Sequence, residues 1–408
     1  MPAARPLTGM QQAMLVQEAL TGRPMYTMPV CFSITGRVDA GALEHALHHV
    51  MGRHPVLSST YDGEVALPYT GRLPGLRRVT GPARAGAPEL AGLWDTLFDL
   101  ADEPPVRAVL VSDSPDEHAL GLAVHHVAGD SWSLALMLRE LGEAYGAAVR
   151  GAVPDLGPAP DFFDHAAWEQ EQSWDAAWWR ERLRGVTVPP RPRAEPGDER
   201  RGLFDAADLE LDADDTRGVR ALARAARVSP AAVLFTAVSV AVAGDGRESV
   251  VGLPAAIRDT ASSQATVGPL INTLPVRTTW PAGLGGAGLA GVHAESMDAA
   301  LAHKDVPYPA ILRAAGLPRG PGADPLLVHV VNVDTVLPDL PLPGMRTSPR
   351  PIAPRWANLP ALWEFTWGTV GNIRGVLRAE AESFTTGDVR ELAGRFQHAL
   401  RRLLQEPR

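Results

Sequence analysis

Apolar residues fall at helical spacing after Asp39, with Leu43, Ala46, Leu47 and Val50 on one face, which predicts a helix capped by Asp39. A period of two replaces this between Ala119 and His126. Leu120, Leu122, Val124 and His126 share one face of a predicted strand, and Gly121, Ala123 and His125 the other, so adjacent His125 and His126 are expected to point in opposite directions. Helical spacing returns with Leu134, Met137, Leu138 and Leu141, with Ser131 or Ser133 as the expected cap. The histidine pair therefore belongs to a strand-to-helix turn, where a rigid scaffold fixes side-chain direction.

The second half repeats the mixture. Ser229 is a predicted N-cap and Pro230 a first helical residue before Val233, Leu234, Ala237 and Val238; after the Gly244-Asp245-Gly246 turn, Val250 to Leu253 reads as a buried strand. Mixed α/β architecture is expected, in two parts: residues 1–177, carrying the histidine pair, and residues 178–408. The Pro-, Gly- and Arg-rich stretch Pro189–Gly202 is the candidate connection, and Trp174, Trp178 and Trp179 before it read as packing residues. Leu337–Pro360 is a second Pro-rich stretch, either a mobile lid or a long connection.

Composition narrows the function classes. A chain of 408 residues with 45% apolar and 21% charged residues can bury a large core. Cys31 is the only cysteine, which excludes a disulfide framework within the chain and a multi-cysteine zinc site; no metal site is expected. Met1–Leu20 lacks a basic segment followed by an apolar core, and the apolar stretch Ala231–Gly244 is too short to span a bilayer, so a cytoplasmic setting without membrane attachment is expected. The net charge of -9 argues against nucleic acid as partner.

A histidine pair alone says little, and the chain contains a control. His48-His49 lies in the predicted helix after Asp39 and leads to Arg53, and it reads as structural or surface histidine. The second pair stands in His125-His126-Val127-Ala128-Gly129-Asp130-Ser131-Trp132-Ser133, which resembles the HHxxxDG signature of nonribosomal peptide synthetase condensation domains, with Ser131 where that signature has glycine. Other segments resemble the family's motifs in order: Leu7 to Met14, Arg53 to Leu57 with Pro55 and Ser58 departing from the usual Glu and Arg, and Phe163 to Trp168. Val267 to Arg277 is similar to Gly-x-x-x-Asn-Thr-x-x-x-Arg, His303 to Tyr308 to a His-x-Asp-x-Pro motif, and Pro325-Leu326 to the opening of a final family strand.

The resemblance implies two chloramphenicol acetyltransferase-like lobes arranged as a V-shaped pseudo-dimer with a central tunnel. It implies a free-standing acyltransferase, without a cofactor of its own, that takes an acyl or peptidyl group from the phosphopantetheine arm of a carrier protein to a carrier-bound or free amine. Ester formation with an alcohol, transfer to a small-molecule acceptor, and an inactive module that recruits a carrier or tailoring enzyme are the alternatives. His126 is implied to be the catalytic histidine, with His125, Asp130, Gly129, Arg277 and Asn272 in support. Arg277 is the candidate partner of Asp130 or another buried acid, Asn272 is expected to fix the segment between lobes, and the Gly129 N–H is a candidate donor to developing oxygen charge. Ser131, Trp132 and Ser133 are candidate lining of a substrate channel. Serine in place of glycine at 131 is expected to strain the turn if that position needs positive φ.

Overall fold

The computed structural model describes residues 3–84, 86–188, 202–317, 326–335, 340–350, 352, 355–368 and 371–405. The predicted connection Pro189–Gly202 lies outside them except for Gly202, as do Pro325 and parts of Leu337–Pro360. The chain forms two compact units, one of Met1–Ser173, Ile257–Leu270 and Leu337–Arg355, the other of Trp174–Ala256, Ile271–Val336 and Trp356–Arg408.

In the first unit a five-stranded sheet runs in the order Arg346–Arg350, Thr27–Thr35, Glu117–His125, Val106–Ser114, Leu76–Thr80, antiparallel except for the last pair. The Glu117–His125 strand is buried from His118 onward. Its Leu122 and Val124 meet Leu47 and Val50 of the Ala40–Arg53 helix and Leu134 and Met137 of the Ser131–Val149 helix. Helix Pro88–Trp94 covers the opposite face, where Leu90 comes so near Gly121 that no side chain fits there. Covering both faces anchors this strand, and hence the turn that follows it.

The predicted caps are in place. Asp39 accepts from the Gly41 and Ala42 amides, and Ser229 accepts from the Ala232 amide before Pro230. The Pro230–Ala243 helix is buried over most of its circumference in the second unit's core, beside Trp179, Val251, Leu274 and Phe396. That unit's six-stranded sheet runs Ile271–Thr279, Glu248–Ala256, His329–Thr335, Ala361–Trp367, Ile373–Glu380, Phe204–Leu209. Trp178 stacks on His303 at 4.1 Å, in keeping with a packing role for the tryptophans. Among the described residues, no single helix is long and apolar enough to cross a membrane.

The Pro-rich stretch after Leu337 contributes structure of its own. Leu340 and Leu342 enter the first unit's core, and Arg346–Arg350 forms an edge strand on Thr27–Thr35. Pro349 is tolerated there because an edge strand has ladder positions that need no donor.

Candidate active site

The strand ends at His125, one residue earlier than the alternation predicts, and His126–Ala128 forms a single 3-10 turn. Hydrogen bonding sets the two histidines apart. His125 is fully buried, its ring edge-on to Phe98 at 5.8 Å; Nε2 lies 2.7 Å from Glu18 Oε2, and Nδ1 accepts from the Val127 amide at 3.0 Å. His126 is partly exposed, and its amide donates to the Tyr26 carbonyl at 2.8 Å. Its Nδ1 is enclosed and finds no hydrogen-bond partner among the described residues. Burial pushes the His126 imidazole below its ordinary range, assisted by His125 and opposed by Asp130 and by the His126 and Gly129 backbone. Burial therefore favours the uncharged ring, the form able to accept a proton.

Asp130 closes the turn. It is the N-cap of the Ser131–Val149 helix, accepting from the Ser133 amide at 2.8 Å, so the cap is neither Ser131 nor Ser133. Its carboxylate pairs with Arg258, whose Nη2 is 2.9 Å from both oxygens; the two side chains are 5% and 2% exposed. Arg258 also donates to the carbonyls of Ser263, Thr266 and Gly268. The Ser133 hydroxyl lies 2.7 Å from Asp130 Oδ1 and 2.9 Å from the Gly268 carbonyl, and accepts from the Gly268 amide at 3.0 Å. With one proton to give, it serves one of those acceptors at a time. Position 268 needs glycine, since a Cβ there would stand 2.1 Å from the Phe162 ring.

Further expectations change. Arg277 does not pair with Asp130: it bonds Glu248 and the carbonyls of Arg182 and Arg184 within the second unit, because it lies on the Ile271–Thr279 strand opposite Glu248's own strand. The Gly129 amide is turned onto the His126 carbonyl at 3.4 Å, so it is not directed outward to receive oxygen charge. Ser131 is the first residue of its helix and is exposed; Arg227 is the one non-glycine residue with positive φ among those described, so serine brings no strain to the turn. Trp132 is 48% exposed and donates from Nε1 to the Gln264 carbonyl.

Asn272 works within the second unit. Its amide nitrogen donates to the Lys304 and Val306 carbonyls and its oxygen accepts from the Thr273 and Tyr308 amides, which fixes the His303–Tyr308 segment. The Arg53–Leu57 motif is structural as well. His54 Nε2 and Arg53 Nε meet the buried Glu140 carboxylate at 2.8 and 3.1 Å, and Pro55 opens a short 3-10 turn, a position suited to its fixed φ. His48, of the control pair, bonds the Pro74 carbonyl. Among the described residues no group of three or more His, Cys, Asp or Glu side chains could hold a metal ion.

Sequence reasoning missed Arg258 and Glu18. The first follows a strand without periodic context, and the second sits in a helix whose surface pattern makes it look solvated.

Residues 3–341 match the family model described as Condensation domain. The chain is 32% identical over 86% of its length to a probable non-canonical nonribosomal peptide synthetase, CymA, of Salinispora arenicola, and 28% identical over its whole length to a dimodular nonribosomal peptide synthase of Bacillus subtilis. It spans 5% and 18% of the lengths of those two relatives. Among solved structures, the X-domain in complex with OxyB from teicoplanin biosynthesis superposes with a TM-score of 0.84 at 27% identity, covering 100% of this chain and 94% of that one. The condensation domain of the monacolin K polyketide synthase MokA has a TM-score of 0.83 at 19% identity, covering 99% and 98%, a likeness of fold. The chain therefore belongs to the condensation-domain family of nonribosomal peptide synthesis and has its mixed α/β, two-lobed chloramphenicol acetyltransferase-like fold.

Proposed function

We propose that the chain transfers an acyl group from the phosphopantetheine thioester of a carrier protein to an amine, forming an amide. The carrying observation is the placement of His126: a partly exposed residue whose imidazole is pushed below its ordinary range by burial, with Nδ1 enclosed, on a turn fixed by a buried ion pair. Nε2 is then the nitrogen that faces the reactants. As the amine nitrogen bonds to the thioester carbonyl carbon, Nε2 accepts its proton. The tetrahedral intermediate collapses with loss of the carrier thiolate, which takes that proton back from the imidazolium. Asp130 and Arg258 neutralise each other and hold the turn without exchanging protons with substrate.

One observation favours a second reading. The X-domain likeness, at 27% identity, is to a protein solved in complex with OxyB, so a module that recruits a partner enzyme without turning over is the competing function. Incubating the purified chain with acylated carrier proteins and amine or alcohol acceptors, and following product and released holo-carrier by intact mass, separates the two. Amide product supports the proposal. Carrier or partner binding with no transfer to any acceptor, by a folded protein, would sink it in favour of recruitment.

A further inference from the structure

The residue next to His126 is held from both sides by one helix. Helix Gly9–Thr21 begins with a capping box in which Thr8 accepts from the Gln11 amide and Gln11 Oε1 accepts from the Thr8 amide. The same Gln11 side chain donates from Nε2 to the Val127 carbonyl at 2.8 Å, a buried bond across 116 residues of sequence. Two turns along the helix, buried Glu18 meets His125 Nε2 at 2.7 Å. His125 Nδ1 accepts the Val127 N–H at 3.0 Å, and a nitrogen that accepts cannot also carry a proton. The His125 proton therefore sits on Nε2 and is donated to Glu18, whose carboxylate selects that tautomer. Glu18 Oε1 also accepts from the Tyr26 amide at 3.3 Å, and the Tyr26 carbonyl receives the His126 N–H at 2.8 Å.

We propose that Glu18 is a positioning residue for His126: it acts through the His125 tautomer on the Val127 N–H and through Tyr26 on the His126 N–H, while Gln11 holds the Val127 carbonyl. Without an acceptor oxygen at position 18, His125 is free to protonate Nδ1, which sets one N–H against another at Val127 and releases the turn. The charge of Glu18 is secondary to its acceptor oxygen, so glutamine should substitute for it. This rests on His126 being the reacting histidine, although the tautomer and the turn can be read without turnover.

The test uses the full chain with 15N-labelled histidine. NMR reads which His125 nitrogen carries the proton, amide exchange reads Val127, and the transfer assay reads kcat and KM. Wild type and Glu18→Gln should both show the Nε2–H tautomer. Glu18→Ala should mix tautomers and speed Val127 exchange by about 10-fold or more. It should also lower kcat about 10- to 100-fold with KM for the acyl-carrier within about 2-fold, as expected of a misplaced group. A folded Glu18→Ala that keeps the tautomer, the exchange rate and kcat would overturn the proposal; so would Glu18→Gln losing as much as Glu18→Ala. Should Glu18→Ala fail to fold, Gln11→Met carries the test: faster Val127 exchange and lower kcat with the His125 tautomer kept support the clamp, and wild-type values for both refute it. If wild type shows no transfer, the tautomer and exchange arms still decide the clamp, and the failure belongs to the proposed function.

Discussion

At the scale of single residues, the site depends on an ion pair that cannot react and cannot be halved. Asp130 and Arg258 are both almost wholly enclosed, and each makes further bonds that hold the loop 263–268 to the start of the Ser131–Val149 helix. Removing one partner leaves a buried charge unpaired, so Arg258→Met should destabilise the protein by about 3–5 kcal/mol, read by urea unfolding. A variant as stable as wild type would show that the pair does not hold the turn. His126 and Asp130 were legible in the sequence because the signature falls on both. The Arg258 partner was not: it lies 128 residues from Asp130, and no local pattern encodes a contact of that range, whereas Arg277 stands in a recognisable motif and yet serves Glu248. Glu18 was hidden in the same way, as were the contacts of Gln11 within the Leu7 to Met14 motif, since a helix period reports which face is buried and not what a polar residue on that face touches.

At the scale of elements, Gly142 and Gly146 of the Ser131–Val149 helix form the seat for Pro341 and Pro343. A Cβ at 142 would stand 2.6 Å from both the Pro341 ring and its carbonyl oxygen, so glycine is what lets this backbone approach the helix. Gly142→Val should cost about 1–3 kcal/mol by overpacking and loosen the Arg346–Arg350 strand that follows. Faster amide exchange along Thr27–Thr35, its neighbour, checks this; unchanged exchange would separate the seat from the strand. Helices with a strong period and a good cap were readable in advance, as at Asp39 and Ser229. The edge strand was not, because Arg346-Thr347-Ser348-Pro349-Arg350 has no apolar alternation and owes its conformation to the ladder it joins.

At the scale of the whole molecule, stability should depend on pH through histidines kept neutral. Burial holds His293, whose Nδ1 bonds the Leu289 carbonyl, and His329, which accepts from Trp363 Nε1, at about 4. Their folded-state values lie below the unfolded value near 6.5, so the unfolded chain binds more protons as pH falls. Stability is complete above about 6.5 and is lost progressively toward about 4. The melting temperature should fall across that window, and His293→Leu should flatten part of the fall; a profile level from pH 7 to 4 would contradict neutral burial. Two lobes of one mixed α/β type were expected from alternating periods and ordered motifs, but the return of Ile257–Leu270 and Leu337–Arg355 to the first unit was not, since nothing in a linear pattern marks where a chain crosses back.

We propose that acyl transfer runs through His126 and not through histidine in general. The most direct measurement is the single-turnover rate of holo-carrier release at pH 7, by intact mass, for wild type, His126→Ala and His48→Ala with one acyl-carrier and one amine. Loss of about 10²- to 10⁴-fold in His126→Ala alone is the expected result. Equal rates in wild type and a folded His126→Ala would exclude His126 as the reacting histidine.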